Sequence, residues 1–140
     1  MRYILDTNIL SELKRKIPNT KVLAWINQIP TELLYISCIS VGEIKKGILK
    51  KAKTDISTAL ILENWLEDIL ISYSNKILNI DLVVCQKWAE LLIIDGTNDI
   101  DSQLAAQAIV HDMVLVTRNT KHFNKFGVKL LNPFEEFGFK

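Results

Sequence analysis

Asp6, Glu43, Asp101 and Asn119 are scattered along the chain, yet each falls where the local pattern ends a strand or opens a helix beside one. Carboxylates gathered on one rim repel one another and raise one another's pKa, so such a cluster calls for a compensating cation. A donor set of oxygens without His or Cys suits a hard ion, Mg²⁺ or Mn²⁺. An ion of this kind polarises a phosphate oxygen and lowers the pKa of a bound water until hydroxide can attack in line. Metal-dependent phosphodiester hydrolysis is the chemistry these residues suggest.

The elements that must position them follow from hydrophobic periodicity. Short runs rich in apolar and β-branched residues predict strands at 2–5, 33–37, 76–80 and 113–117, with a fifth at 128–132. Helical patterns occupy 9–16, 20–28, 40–53, 56–72, 81–94 and 101–111. Alternation of the two predicts βαβ units and a parallel sheet covered on both faces, a three-layer α/β/α sandwich. In such a sheet ligands bind outside the carboxyl ends of the strands, where the strand order reverses. Asp6 follows the first strand, Glu43 lies in the first turn of the helix after the second, Asp101 opens the helix before the fourth, and Asn119 follows the fourth.

Each residue also has a plainer reading. In "YILDTNIL" (3–10) the polar residues could simply cap a helix, with Asn8 as the natural N-cap and Ile9, Leu10 and Leu13 beginning the apolar stripe. Asp6 fits that role less well. Asp101 shares its helix face with Leu104, Ala105, Ala108 and Ile109, an apolar stripe on which a carboxylate is costly without compensation. Asp99 is read as the cap of that helix and Asp101 as the ligand. Glu43 points away from the stripe of Val41, Ile44, Ile48 and Ala52 and would pass for a surface glutamate. Its place on the rim shared with Asp6 and Asp101 favours a ligand.

Composition narrows the classes further. The 140 residues are 49% hydrophobic, which predicts one domain over 1–140 with a substantial core. A net charge of +1 gives no global field for nucleic acid or membrane, so any such binding must be local. Cys38 and Cys85 form no CxxC and read as core thiols of a reducing, cytoplasmic setting. No run approaches the ~18 apolar residues of a membrane span, so a soluble, unprocessed protein is expected. With five Gly and three Pro there is no linker, the clearest break being "DGTND" at 95–99, and the tail from 132 reads as peripheral. No glycine-rich phosphate loop, GxSxG elbow or HExxH pair occurs.

"LDTNIL", "SVGEIKKGI", "IDSQLAAQAI", "LVTRNTKHF" and the closing "GVKLLNP", in this order and strand context, resemble PIN-domain ribonucleases, and among them the VapC-type toxins of bacterial toxin-antitoxin modules. The resemblance runs from Arg2 to about Pro133. It implies a parallel sheet flanked by helices and an acidic site that binds Mg²⁺ or Mn²⁺ and cuts RNA to 5′-phosphate and 3′-hydroxyl ends. By position Asp6, Glu43 and Asp101 match the family's first three acidic ligands. Asn119 falls at or near the fourth, where many relatives carry Asp and others Asn, which implies one metal or a weakly held second. Thr7 and Asn8 would hold the first aspartate and nearby waters, with capping of the helix as the equal alternative for Asn8. Thr117 orients the site or only ends its strand. The resemblance also implies a protein antitoxin and a homodimer.

Lys46, Lys50 and Lys53 recur at helical spacing on the side of Glu43, and Lys14, Arg15 and Lys16 form a second basic cluster. Lys46, Lys50 and Arg118 are taken as RNA contacts, since phosphate contacts position a strand without reading it; a solvated helix face explains any single lysine as well. His111 and His122 have no partner in the pattern and are read as ordinary surface or capping residues. The helices at 58–71 and 82–94 carry more apolar surface than a small core needs. Three alternatives compete. A haloacid dehalogenase-type phosphatase would want Asp at position 8, where Asn8 stands. A non-catalytic PIN-like module binding RNA or protein would have lost acidic ligands. A structure-specific DNA nuclease would carry further acidic positions.

Overall fold

The computed structural model describes residues 1–95 and 100–135. Five strands, β1 (Tyr3–Leu5), β2 (Leu34–Ser37), β3 (Ile77–Leu78), β4 (Val114–Val116) and β5 (Leu130–Leu131), form one sheet in the order β3-β2-β1-β4-β5. Every pairing is parallel. Among the described residues seven α-helices connect and cover them: α1 (Thr7–Lys14), α2 (Thr20–Asn27), α3 (Cys38–Ala52), α4 (Ile56–Ser72), α5 (Leu82–Ile94), α6 (Ile100–Val110) and α7 (Thr120–Phe123). The strands are the five expected from the sequence. The seventh helix, a single turn after β4, was not.

Alternation along the short strands divides the core in two. Leu5, Ile36 and Val116 face one side, where Ile9, Leu10, Trp25, Ile44, Ile48 and Leu66 of α1 to α4 close over them. Ile4 and Leu115 face the other, against Val84, Leu91, Leu104, Ala105, Ala108 and Phe123 of α5 to α7. Both faces of the sheet are thus buried, which is why its strands read as continuous apolar runs. Ala105, Ala106 and Ala108 are fully buried, and their small size lets α6 lie close to its neighbours. Gly127 takes φ +68° on the way into β5, a conformation open to glycine at little cost.

Several sequence expectations are corrected. α1 begins at Thr7, not Ile9, and its N-cap is Asp6 rather than Asn8. α3 begins at Cys38 because the Ser37 hydroxyl accepts from the Ile39 N–H at 3.0 Å, which moves Glu43 into the second turn. Neither cysteine is in the core: Cys38 is half-buried and Cys85 is exposed. Among the described residues no helix is long and apolar enough to cross a membrane. Asp99, expected to cap α6, lies outside the described residues.

Candidate active site

The chain runs outward from β1 through β2 to β3 and then returns to place β4 on the other flank of β1. Strand order therefore reverses between β1 and β4, and the crevice outside their carboxyl ends is where a ligand is expected. Asp6 follows β1 there, and Thr117, Arg118 and Asn119 follow β4. The Asp6 N–H donates to the Val116 carbonyl at 2.9 Å, so the pairing of the two strands continues into the site.

Asp6 is 7% exposed, and both oxygens of its carboxylate accept hydrogen bonds. Oδ1 accepts from the Thr7 N–H at 2.7 Å, which caps α1. Oδ2 accepts from the Thr117 hydroxyl at 2.8 Å and from Asn8 Nδ2 at 3.3 Å. Asn8 also donates to Thr117 Oγ1 at 3.3 Å and accepts the Arg118 N–H on Oδ1 at 3.2 Å, so it ties the two strand ends together. Burial pushes the Asp6 carboxyl above the usual aspartate range. The Thr117 hydroxyl and the Thr7 N–H oppose that rise, the charge of Asp101 adds to it, and His122 opposes it.

Asp6, Glu43, Asp101 and Asn119 line one open cleft of about 620 Å³, with Thr7, Asn8, Ser11, Glu12, Arg15 and Arg118 completing its wall. The rim expected from the sequence is therefore assembled. Glu43 Oε1 accepts from the Thr7 hydroxyl at 2.7 Å, a bond that joins α3 to α1. Asp101, in the first turn of α6, lies 3.3 Å through Oδ2 from Nδ1 of His122 on α7. Asn119 opens α7 and donates its N–H to Thr117 Oγ1 at 3.1 Å.

Among the described residues no three His, Cys, Asp or Glu side chains stand at a spacing that would already hold an ion. Glu43 and Asp101 are bonded instead to Thr7 and His122. The donor set nevertheless fits a hard divalent cation. Its oxygens face one cleft, and the buried Asp6 carboxylate accepts from neutral donors, with no Lys or Arg paired to it among the described residues.

Some expected contacts fall elsewhere, and others were missed. Lys46 is exposed and borders a neighbouring groove with Cys38, Ile39, Ile100 and Gln103, which Glu43 also lines, and Lys50 is exposed further along α3. Neither lines the acidic cleft. Among the described residues the basic groups that do are Arg118, expected from the sequence, and Arg15, which in the sequence is only part of a charge run. Arg118 Cζ stands 4.5 Å from the centre of the Phe134 ring. Glu12 and Ser11 are additions to the expected set, and their signal is the helical spacing that puts them on the same side of α1 as Thr7 and Asn8. His122, read as an ordinary residue, meets Asp101; His111 lies away from the site and uses its carbonyl to accept from Arg2.

A parallel five-stranded sheet with acidic side chains at its switch point defines the class, and comparison with known proteins agrees. The chain matches the PIN domain over residues 3–129 and belongs to the PIN-domain family. It is 33% identical over 138 residues to the VapC ribonuclease Y4jK of Sinorhizobium fredii, covering 94% of this chain and 97% of that one. It is 30% identical over 141 residues to the toxin FitB of Neisseria gonorrhoeae, covering 95% and 99%. The solved FitAcB structure from Neisseria gonorrhoeae superimposes with a TM-score of 0.83 at 30% identity, covering 95% of this chain and 99% of that one.

Proposed function

We propose that this protein is an endoribonuclease that uses a bound Mg²⁺ or Mn²⁺ and acts as the toxin of a toxin-antitoxin pair. Membership of the PIN-domain family, with a VapC ribonuclease and a toxin among its relatives, supports the class. The observation that carries the chemistry is Asp6, a buried carboxylate at the β1/β4 switch point, opening onto a cleft shared with Glu43 and Asp101.

Asp6, Glu43 and Asp101 would hold the ion, with Asn119 beside them. When bound, the ion supplies Lewis-acid polarisation of the phosphate and an acidified water. Attack of water oxygen on phosphorus, with rupture of the bond to O3′ and transfer of a proton to that oxygen, leaves 5′-phosphate and 3′-hydroxyl ends. Thr117, Asn8 and the Thr7 N–H fix the Asp6 oxygens, and the Thr7 hydroxyl fixes Glu43. Arg118 holds backbone phosphate at the cleft, while Lys46 and Lys50 extend the track along α3.

Exposed apolar side chains support the partner half of the reading. Leu60, Ile61 and Ile71 on α4, and Leu82, Val83, Ile93 and Ile94 on α5, are largely open to solvent. Monomers seldom leave so much apolar surface uncovered. A protein antitoxin and a second copy of this chain are the occupants in keeping with the family.

The test is digestion of a mixed cellular RNA pool by purified protein in Mg²⁺ or Mn²⁺, with EDTA and Asp6→Ala controls and sequencing of the fragment ends. Cuts that carry 5′-phosphates and disappear in both controls are expected. A folded wild type that leaves the pool intact with either ion sinks the nuclease assignment in favour of a non-catalytic binding module.

A further inference from the structure

The cleft is not acidic throughout. Asp6, Glu43 and Asp101 share it with two guanidinium groups, Arg15 and Arg118. Arg15 ends α1 and is itself exposed, but it is anchored: Nη1 donates to Glu12 at 3.2 Å and 3.3 Å, once to each carboxylate oxygen. Glu12 is a charged side chain that is only 6% exposed. It is fixed in turn by the Asn19 N–H, which donates to Oε2 at 2.7 Å from the N-cap of α2. That N–H is the main influence holding the Glu12 carboxyl below the usual range, with the Arg15 hydrogen bond and the charges of Arg15 and Arg118 adding to it.

A guanidinium is planar and carries five donors. Two acceptor contacts to Glu12 engage one terminal nitrogen of Arg15, which leaves further N–H groups for an anion in the cleft. The sequence had given this arginine no more weight than Lys14 and Lys16 beside it. Those two line no part of the cleft, and Lys14 Nζ stands 5.6 Å from the Trp65 ring centre instead. A carboxylate buried at the edge of an acidic site is costly unless it is paired. Here its pairing orients a cation towards the place where a polyanion must lie.

We propose that Arg15, positioned by Glu12 and acting with Arg118, is a phosphate clamp that holds the RNA phosphate adjoining the scissile one. The inference rests on the nuclease reading above. The carboxylates would serve the scissile phosphate, and the two arginines lining the same cleft take its neighbour along the strand. Glu12 is a positioning residue that touches no RNA.

The experiment measures binding and turnover separately. Affinity for random-sequence labelled oligoribonucleotides is read by fluorescence anisotropy in Ca²⁺ over a range of salt, and KM and kcat are read in Mg²⁺. Loss of a charge-assisted contact predicts that Arg15→Gln weakens RNA binding about tenfold. The slope of log affinity against log salt should fall by about 0.7. The loss should appear in KM, and it should be larger on the oligoribonucleotide than on bis(p-nitrophenyl) phosphate, whose single phosphate offers the clamp no neighbour. Glu12→Gln, which keeps an acceptor for Asn19, should move KM and the salt slope the same way without lowering kcat in proportion, and Arg15→Lys should fall between. Wild-type affinity and slope in Arg15→Gln, or an equal penalty on both substrates, overturns the clamp alone, provided wild type binds and cuts RNA. A wild type that does neither overturns the clamp together with the nuclease reading.

Discussion

The hydroxyl of Thr117 donates to Asp6 Oδ2 at 2.8 Å, joining two residues 111 positions apart across the carboxyl ends of β1 and β4. Thr117 is fully buried and also accepts from Asn8 Nδ2 and the Asn119 N–H. It therefore links the side chains of Asp6 and Asn8 to the backbone at Asn119, and its hydroxyl is the leading influence keeping the Asp6 carboxyl from rising further.

Thr117→Val removes that donor while keeping the side chain's shape. The Asp6 carboxyl should then titrate at higher pH, and because the proposed reaction needs it ionised, the acid limb of the rate profile should move to higher pH. Asn8 Nδ2 and the Asn119 N–H, neither of them buried, also lose an acceptor, which costs about 0.5–1.5 kcal/mol of stability. Thr117→Ser should behave like wild type. A pH–rate profile unchanged in the valine variant would show that the hydroxyl does not tune Asp6.

Asp6 is a trade of stability for chemistry. Its folded-state carboxyl lies above the usual value, chiefly through burial, so the folded protein binds that proton more tightly than the unfolded chain does. The stability this provides is complete at low pH and is lost as pH rises through the folded-state value. Asp6→Asn removes the ionisation, so metal-free variant protein should melt higher than metal-free wild type at neutral pH and show a flatter dependence of Tm on pH. Activity should fall on the order of 10³-fold, since a lost ion forfeits several kcal/mol of transition-state stabilisation.

Mg²⁺ should restore what ionised Asp6 costs. At 100 times its Kd an ion stabilises the native state by about 2.7 kcal/mol, which for a chain of this length is a rise in Tm of about 8 °C. The rise should shrink as pH falls, because the proton and the ion compete for Asp6, and it should be absent in Asp6→Asn. Thermal scans with and without Mg²⁺ across pH check both points. A rise of equal size in wild type and Asp6→Asn would remove Asp6 as a ligand.

Thr7 gives a gentler perturbation. Its hydroxyl donates to Glu43 at 2.7 Å, and Thr7→Val leaves the carboxylate without that restraint. Loss of a bond that orients a ligand typically costs 10–100-fold in metal affinity, so the Mg²⁺ concentration for half-maximal cleavage should rise by about that factor, with Thr7→Ser near wild type. An unaltered Mg²⁺ titration would mean that Glu43 is fixed by other contacts or does not bind the ion.

Much of this site was legible because it depends on topology. Alternating strand and helix patterns imply a parallel sheet, and such a sheet brings Asp6, Asp101 and Asn119 to one rim however far apart they are in sequence. What could not be read depends on local competition between donors. The capping and functional readings of Asp6 looked exclusive, yet one carboxylate does both, with Oδ1 on the Thr7 N–H and Oδ2 on Thr117. That is why α1 starts at Thr7 rather than Ile9. Glu12 resembles a surface residue in "SELKRK" because its burial is created by the return of the chain to Asn19, which no periodicity encodes. Lys46, Lys50 and Arg15 are equivalent as charges, and only the turn of each helix decides which one meets the cleft.

Gln107 separates fold from site. It is fully buried on α6, and its Nε2 donates to the carbonyls of Leu78 at 3.1 Å and Asn79 at 3.2 Å, pinning the helix that carries Asp101 to the end of β3. Gln107→Leu deprives both carbonyls of a donor inside the protein, at a cost of about 1–3 kcal/mol. Tm should fall by roughly 3–10 °C. Gln107 does not line the cleft, so at temperatures well below the transition kcat should stay within about threefold of wild type, a difference of less than one kcal/mol in barrier. A collapse of kcat in folded Gln107→Leu, with Tm little changed, would show instead that the α6 to β3 connection sets the position of Asp101.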